Sequence, residues 1–521
     1  MPDSPYDVVI IGYGPVGATL AALLVRHGLR VAVADQAAEV YDKPRAITLD
    51  HEVMRVFQAC GLAHEVVPFT APHPGTHYLG VDRNVIRIYD PQPPPHPLGW
   101  PPSGTFVQPA VEAALRAGVA RSGRADVCLA ARAVGLAPDD DRVDVTLRGA
   151  DGERTVAARY LVGCDGANSF VRRALGIGHE DLAFDEWWMV ADVRLTRPVD
   201  LPTKCIQYCW PERPATFIIG PGNLRRWEIK LLPGETPEDF GAPANVARQL
   251  ARFVDPAAIE IWRSAVYRFH ALVADRWRAG RVLLAGDACH QTPPFMGQGM
   301  CAGIRDAANL AWKLALVLRA GANDALLDSY EAERKPHVKA LVGFAKAAGE
   351  VIGELDPARA RARDALLRGQ LERGEAETIR QRYIPNLVTG VLDAASGATA
   401  GTLFVQPRVG AEGEGALLDD VIAPRFLLAT TGGGAQSWLT TPSRDVWRRL
   451  GGERAVIAPD AAADGGEVRH FAEHGTLFAD WMARLGAAAV AVRPDRYVYG
   501  IARDADGLNR MIAGLGRQVF G

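Results

Sequence analysis

Residues 7–35, DVVIIGYGPVGATLAALLVRHGLRVAVAD, constrain the fold of this chain more than any other stretch. An apolar strand runs into Gly12-x-Gly14-x-x-Gly17, an apolar helix follows, and a second apolar strand ends in Asp35. The glycines permit a tight turn, close approach of backbone to a pyrophosphate and close helix–strand packing. Asp35 is placed to accept from a ribose hydroxyl. A lone GxGxxG is weak. Flanked by two strands and closed by an acid about twenty residues on, it reads as the dinucleotide-binding unit of a Rossmann-like fold, without choosing the dinucleotide.

Two further segments have the same strand-then-acid form. Residues 160–173, YLVGCDGANSFVRR, are a strand ending in Asp165-Gly166, followed by a serine and Arg172. Residues 281–313, RVLLAGDACHQTPPFMGQGMCAGIRDAANLAWK, run from an apolar strand into Asp287. They pass Pro293-Pro294 and Gly297-Gln298-Gly299 before a helix begins. A helix start carries unpaired N–H groups and the positive end of a dipole, so it draws electron-rich ligand atoms. A flavin suits this arrangement: Asp287 can hold ribityl hydroxyls while the amides near Gly299 and Met300 face the pyrimidine edge. Alone, the segment also fits an ordinary strand-to-helix turn with a capping aspartate.

The three segments, in the order GxGxxG, DGANSxVR and GDACHxxPPxxGQG, resemble the class A flavoprotein monooxygenases, the para-hydroxybenzoate hydroxylase-like group, over residues 6–345. Within that group YDKPRAITLDHEVMRVFQACGL, FVQPAVEAALR and RRWEIKLLPGE look most like the 3-(3-hydroxyphenyl)propionate hydroxylases. The resemblance implies bound FAD, NADH or NADPH as transient co-substrate, and a small phenolic acid and O2 as the other reactants. One oxygen atom would enter ortho to the phenol hydroxyl by way of a flavin C4a-hydroperoxide. It also implies that Gln108 touches the flavin side chain, that Arg45 lies near the FAD phosphates or the isoalloxazine, and that Asp165 lies near both FAD and nicotinamide. Pro293 and Pro294 would form a stiff wall short of N–H groups. A plain rigid turn remains the alternative there.

Composition limits the partners. With 58 basic and 61 acidic residues the net charge is −3, which favours neither nucleic acid nor an anionic membrane. No run of about eighteen uncharged apolar residues is present. The first residues lack the basic and apolar regions of a signal peptide. Seven scattered cysteines form no CxxC, and read as reduced thiols of a cytoplasmic protein.

The 521 residues divide into two or three domains. Residues 1–180 read as the first part of an FAD-binding domain, with a loop near 73–105 toward the substrate region. Residues 91–102 carry seven prolines and cannot form helix or central strand. Residues 181–270 are short aromatic and β-branched runs that suit an antiparallel substrate-binding sheet. Residues 271–350 return to the FAD domain, and 351–395 read as a charged, solvated helical connector. Residues 396–521 are small α/β in pattern; the resemblance implies a thioredoxin-like domain here, and without CxxC it is assigned a structural or dimerisation role. A homodimer stays open.

Hydroxylation is helped when the phenol binds as phenolate, which needs a base or donor network. His270 and Tyr267 in YRFH are candidates, with His290 in DACHQ; for each histidine a hydrogen-bonded structural role stays open. Tyr208, Trp210 and Phe217 are candidate substrate contacts, and Arg225 or Arg226 could meet a substrate carboxylate. Arg172 either lines a helix or forms a surface ion pair. Two rivals remain: a hydroxylase of a larger aromatic such as a polyketide or antibiotic, and a flavoprotein oxidase or dehydrogenase that does not hydroxylate.

Overall fold

The computed structural model describes residues 6–410, 415–459 and 466–521. Residues 1–5, the start of the segment read for a signal peptide, lie outside them. The strand Tyr6–Ile11 is central in the first sheet, between the parallel strands Val31–Ala34 and Gly152–Gly163. Val282–Leu284 pairs parallel to the far side of Gly152–Gly163. Tyr6–Ile11, Val31–Ala34, Val282–Leu284 and the last residues of Gly152–Gly163 are near-continuous apolar runs because both faces of the sheet are covered there, and Val8, Val9 and Ile10 are fully buried. Ile11 lies beside Gly163 and Gly163 beside Leu284, so Gly12, Asp165 and Asp287 all leave the carboxyl ends of neighbouring strands. The chain departs from Tyr6–Ile11 to one side and returns on the other, which opens a ligand crevice at that end of the sheet.

A second sheet of eight strands stands over this crevice. Its order is His290–Gln291, Ile259–Ala274, His179–Leu195, Leu224–Lys230, Ala215–Ile219, Cys205–Tyr208, Thr76–Leu79 and Val85–Tyr89. The stretch near 73–105 is therefore not simply a loop: it lends two strands to this sheet. Its prolines cluster after Asp90, which leaves THYL and VIRIY free to pair. The long strands also run past 181–270, from His179 to Ala274.

Alternation along the strands gives this sheet two different faces. Met189, Ala191, Phe217, Trp227 and Ile229 pack with Phe240, Val246 and Leu250 of the helices Pro237–Gly241 and Pro243–Leu250. The opposite parity is largely polar. It aligns Val190, Glu228, Thr216 and Gln207 in one row, and Asp192, Arg226 and Arg263 in the next.

After the helices Gly299–Arg319 and Asp328–Gly353 the chain does not form a merely solvated connector. Beyond the helix Pro357–Glu372, Tyr383 packs edge-on against Tyr89 and Phe344, with ring centroids 5.4 and 5.5 Å apart. Apolar and aromatic residues after Glu377 draw this segment inward, against the charge pattern of its first half. The C-terminal unit is a seven-stranded mixed sheet. Leu427–Thr430, Glu453–Ala458 and Arg469–His474 are parallel, while Ala489–Val492 and Val498–Ala502 run antiparallel beside them. Buried ion pairs lock this unit to the first domain: Glu333 lies 2.7 Å from Arg493 and 2.9 Å from Lys313, and Asp419 lies 2.5 Å from Arg55. No helix of the described residues is long and apolar enough to cross a membrane.

Candidate active site

The three glycines of the first motif do different jobs. Gly12 has φ +101°, and a Cβ there would come 2.3 Å from the carbonyl oxygen of Cys164. A Cβ on Gly17 would meet the carbonyl oxygen of Gly12 at 2.0 Å. Both positions are closed by neighbouring backbone. Gly14, the N-cap of the helix Pro15–Arg26, has nothing within 4 Å of the place a Cβ would occupy. The open side of the turn is thus the side on which a pyrophosphate would lie against the helix start. Asp35 accepts from the backbone N–H groups of Tyr13 at 2.6 Å and Ala37 at 2.7 Å. Each carboxylate oxygen has more than one acceptor site, so capacity for a ribose hydroxyl remains.

The second and third motifs meet beside it. Asp165 accepts from Val171 N–H at 3.1 Å through Oδ2, while its buried Oδ1 has no partner among the described residues. An orphaned acceptor of this kind is satisfied by a ligand donor. Arg172 is not a surface residue: buried, it donates to Ala167 O at 3.1 Å and to Ala288 O at 3.3 Å, stitching the two motifs together. Asp287 is open to solvent, yet protein crowds it enough that burial pushes its carboxyl up, against the pull of His290 and Arg45. That is the position of a carboxylate lining a cleft, and not one on the outer surface. Arg45 is exposed and stacks over Tyr41 at 4.9 Å. Gln108 spends its amide oxygen on the N–H groups of Arg45 and Ala46, at 2.8 and 2.6 Å, and so shapes that loop.

His290 is structural. Its Nε2 lies 2.8 Å from Asp306, which also receives Arg334 at 2.9 Å and Gly286 N–H at 3.2 Å, all in the interior. Burial raises the Asp306 carboxyl, but His290 and Arg334 override it and hold it below its ordinary range. The loop beyond turns through Pro293 and Pro294 to Gly297 at φ +58°, where a Cβ would strike Thr48 Oγ1 at 2.0 Å. Helix Gly299–Arg319 follows, opened by a backbone bond from Ala302 N–H to Gln298 O. The N–H groups of Gly299 and Met300 therefore have no partner within the helix. Phe295 packs against Phe184, Trp188 and Phe269 beneath the second sheet.

The expected substrate contacts need correction. Tyr208 and Phe217 face away from the crevice, into the apolar core under the helices, and Trp210 packs against Tyr208 at 4.6 Å. Arg225 donates to Gly222 O and Leu224 O in the adjoining turn. Tyr267 and His270 cannot form one proton relay, because an odd spacing on the strand Ile259–Ala274 puts them on opposite faces. His270 lies 3.7 Å from Asp185, which also pairs with Arg268 on the outer face. Tyr267 is on the crevice parity, with Arg263 over its ring at 5.1 Å.

The groups on the crevice side are ones that aromatic content did not reveal. Asp192 pairs with Arg226 through two contacts, and Arg263 lies 3.5 Å from it. Arg226 also donates to the carbonyls of Arg45 at 2.8 Å and Pro44 at 3.2 Å; Arg263 adds a 2.6 Å bond to Pro44. The second sheet thereby clamps the loop that carries Arg45. Arg380, from the connector, reaches Met296 O and lies 3.4 Å from Ser103 Oγ. No carboxylate among the described residues lies within ion-pair distance of it. Charge at every second residue in RRWEIK was a usable signal; nothing local marked Arg380.

Residues 5–345 match the family described as FAD binding domain, and residues 401–518 match the HcaD C-terminal domain. The chain belongs to the FAD-binding-domain family, and FAD is the cofactor its motifs fit. It is similar to the 3-(3-hydroxy-phenyl)propionate/3-hydroxycinnamic acid hydroxylase of Klebsiella pneumoniae, at 36% identity over 95% of this chain and 92% of that protein. The corresponding hydroxylase 1 of Burkholderia vietnamiensis is 33% identical over 95% of this chain and 89% of that one. The solved structure of the flavin-dependent monooxygenase PieE in complex with FAD and substrate superposes with a TM-score of 0.81, at 20% identity and 99% coverage of both chains. That likeness establishes the fold.

Proposed function

We propose that this chain is an FAD-dependent monooxygenase that uses NADH or NADPH and O2 to hydroxylate a phenolic acid of the 3-(3-hydroxyphenyl)propionate or 3-hydroxycinnamate type, ortho to its hydroxyl. The names of its relatives support the substrate class. The observation that carries the reaction class is the convergence of Gly14, Asp165 and Asp287 on neighbouring strand ends beneath a polar, clamped sheet face. Bound FAD supplies the electron transfer and oxygen activation that amino-acid side chains lack.

The chain's own residues do the rest. Gly14 leaves room for the pyrophosphate on a turn that Gly12 and Gly17 make possible, and Asp35 would meet the ribose while Asp165 and Asp287 accept from ligand hydroxyls. The N–H groups of Gly299 and Met300, at the helix start, would hold the electron-rich edge of the flavin ring system. Pro293 and Pro294 give this loop a wall short of N–H donors, which would spare the reacting oxygen a stray proton donor, and the aromatic cluster at Phe295 would keep water away. Arg380, which has no carboxylate partner among the described residues, meets the carboxylate of the substrate. Residues 396–521 are read as a thioredoxin-like, non-redox domain, and the protein as cytoplasmic, with a homodimer open.

The test follows NADH oxidation and product mass together when FAD-loaded protein meets 3-(3-hydroxyphenyl)propionate. Stimulated oxidation with a product one oxygen atom heavier is expected. Hydrogen peroxide without that product would move the substrate to a larger phenol; bound FAD with no phenol-dependent NADH or NADPH use would overturn hydroxylation.

A further inference from the structure

We infer that Glu228 is the base that takes the proton from the substrate's phenol hydroxyl. The inference rests on the proposed reading of the crevice as a phenol site. Three observations place Glu228 for this work. It belongs to the crevice parity of the strand Leu224–Lys230, two residues from Arg226 on one side and two from Lys230 on the other. Arg226 holds the loop at Pro44 and Arg45, while Trp188, directly across from Lys230, packs on Phe295. Glu228 therefore stands midway along the wall between the two loops that frame the flavin site.

The carboxyl is also uncommitted. Glu228 is 3% exposed and makes no hydrogen bond to any described residue; Arg226, its one ion-pair contact, is 3.8 Å away. A buried carboxylate left this free is costly unless it has a ligand to serve. The charged groups around it are spoken for. On its own strand Arg226 pairs with Asp192, and Lys230 with Glu186 and Gly353 O. On the strand His179–Leu195 its neighbour is Val190, with Asp192 next along. On the strand Ile259–Ala274 Arg263 is drawn to Asp192 and Pro44 and lies over the Tyr267 ring. On Ala215–Ile219 and Cys205–Tyr208 the same face carries Thr216 and Gln207, which bond to each other at 2.5 Å, and the thiol of Cys205, which burial pushes up to about 11.

Burial lifts the Glu228 carboxyl to about 7, Arg226 pulling it down and Asp192 pushing it up. A phenol ionises near pH 10, so the mismatch with an ordinary carboxyl, more than five pH units, narrows to about three. In the step, the phenol O–H bond breaks, its electron pair stays on the phenolate oxygen, and the proton moves to a Glu228 carboxylate oxygen. The ring gains the electron density that attack on an electrophilic oxygen needs. After product leaves, the carboxylic acid returns its proton to water.

The test uses FAD-loaded wild-type protein, Glu228→Gln and Glu228→Asp, with 3-(3-hydroxy-4-nitrophenyl)propionate, whose phenolate absorbs visible light. Two groups that share a proton titrate as a coupled pair. The bound probe should therefore ionise in two steps in the wild type and in Glu228→Asp, and in one step in Glu228→Gln. Turnover of the unsubstituted phenol should fall roughly 10²–10⁴-fold in Glu228→Gln, with KM little changed, and the acid limb of the wild-type kcat/KM profile near pH 7 should vanish. Identical titration in wild type and Glu228→Gln would overturn the role of Glu228 alone. Failure of the probe to bind any of the three would overturn the phenol site and this inference with it.

Discussion

Asp192 and Arg226 face each other across neighbouring strands in a two-point ion pair, Oδ1 to Nε at 2.7 Å and Oδ2 to Nη2 at 3.0 Å, with Asp192 fully buried. Because Arg226 also grips the carbonyls of Pro44 and Arg45, this pair aligns the second sheet with the loop that carries Arg45. Removing one member of a buried pair costs about 3–5 kcal/mol, since the other charge is left desolvated. Asp192→Ala should lose that much stability in denaturant titration of the apoprotein. A loss under 1 kcal/mol would show that the pair is not what holds the two parts together.

Gly12 and Gly14 should respond differently to the same added methyl. In Gly12→Ala the Cβ meets the Cys164 carbonyl, a backbone atom that cannot step aside, so melting temperature and flavin content should both fall. In Gly14→Ala the Cβ enters open space, so the apoprotein should melt as the wild type does while FAD affinity drops about tenfold or more, roughly 1.4 kcal/mol. Equal FAD affinity in Gly14→Ala and wild type would remove the pyrophosphate from that side of the turn.

Arg380→Ala should raise KM for a phenolic carboxylate by about ten- to a hundredfold, the worth of a charged hydrogen bond. The matching phenolic alcohol, with no carboxylate, should be used equally well by both proteins. If both substrates suffer alike, Arg380 supports the Pro294–Met296 loop and does not bind substrate.

Glu228 makes stability depend on pH in an unusual direction. Its folded value of about 7 lies above the ordinary carboxyl value, so the folded state binds the extra proton between about pH 4.5 and 7. Stability from this group is complete at the acid end of that window and declines as pH rises through it. Glu228→Gln should thus be more stable than the wild type by about 3 kcal/mol at pH 8, with the difference fading toward pH 4.5. A variant less stable than the wild type at pH 8 would mean that the carboxylate is well paired.

How much of the fold and site is legible in the sequence follows the range of the interactions. The GxGxxG turn, Asp165 and Asp287 are each the product of a few consecutive residues, and local order sufficed to find them. The orientation of the second sheet did not yield to the same reading, because both its faces are buried and apolarity marks only one. Tyr208 and Phe217 look like a pocket and line a core; Arg226 reads as one possible partner for a substrate carboxylate and Glu228 goes unmarked, yet both lie on the opposite, polar face. Arg380 reaches Met296 after more than seventy residues of intervening chain beyond Met300, and the strand Thr76–Leu79 pairs with Cys205–Tyr208 over a hundred residues on. Their positions are properties of the closed fold.

The ion cluster of Glu333, Lys313 and Arg493 makes the C-terminal unit something other than a detachable appendage. Burial alone would raise the Glu333 carboxyl, yet Arg493 and Lys313 hold it down to about 2. A stop codon ahead of residue 400 would delete Arg493 and leave Lys313 and Glu333 at a newly wetted face stripped of Phe426, Tyr499 and Leu515. Anyone trimming this protein to a minimal catalyst would be cutting through an interior and not at a seam.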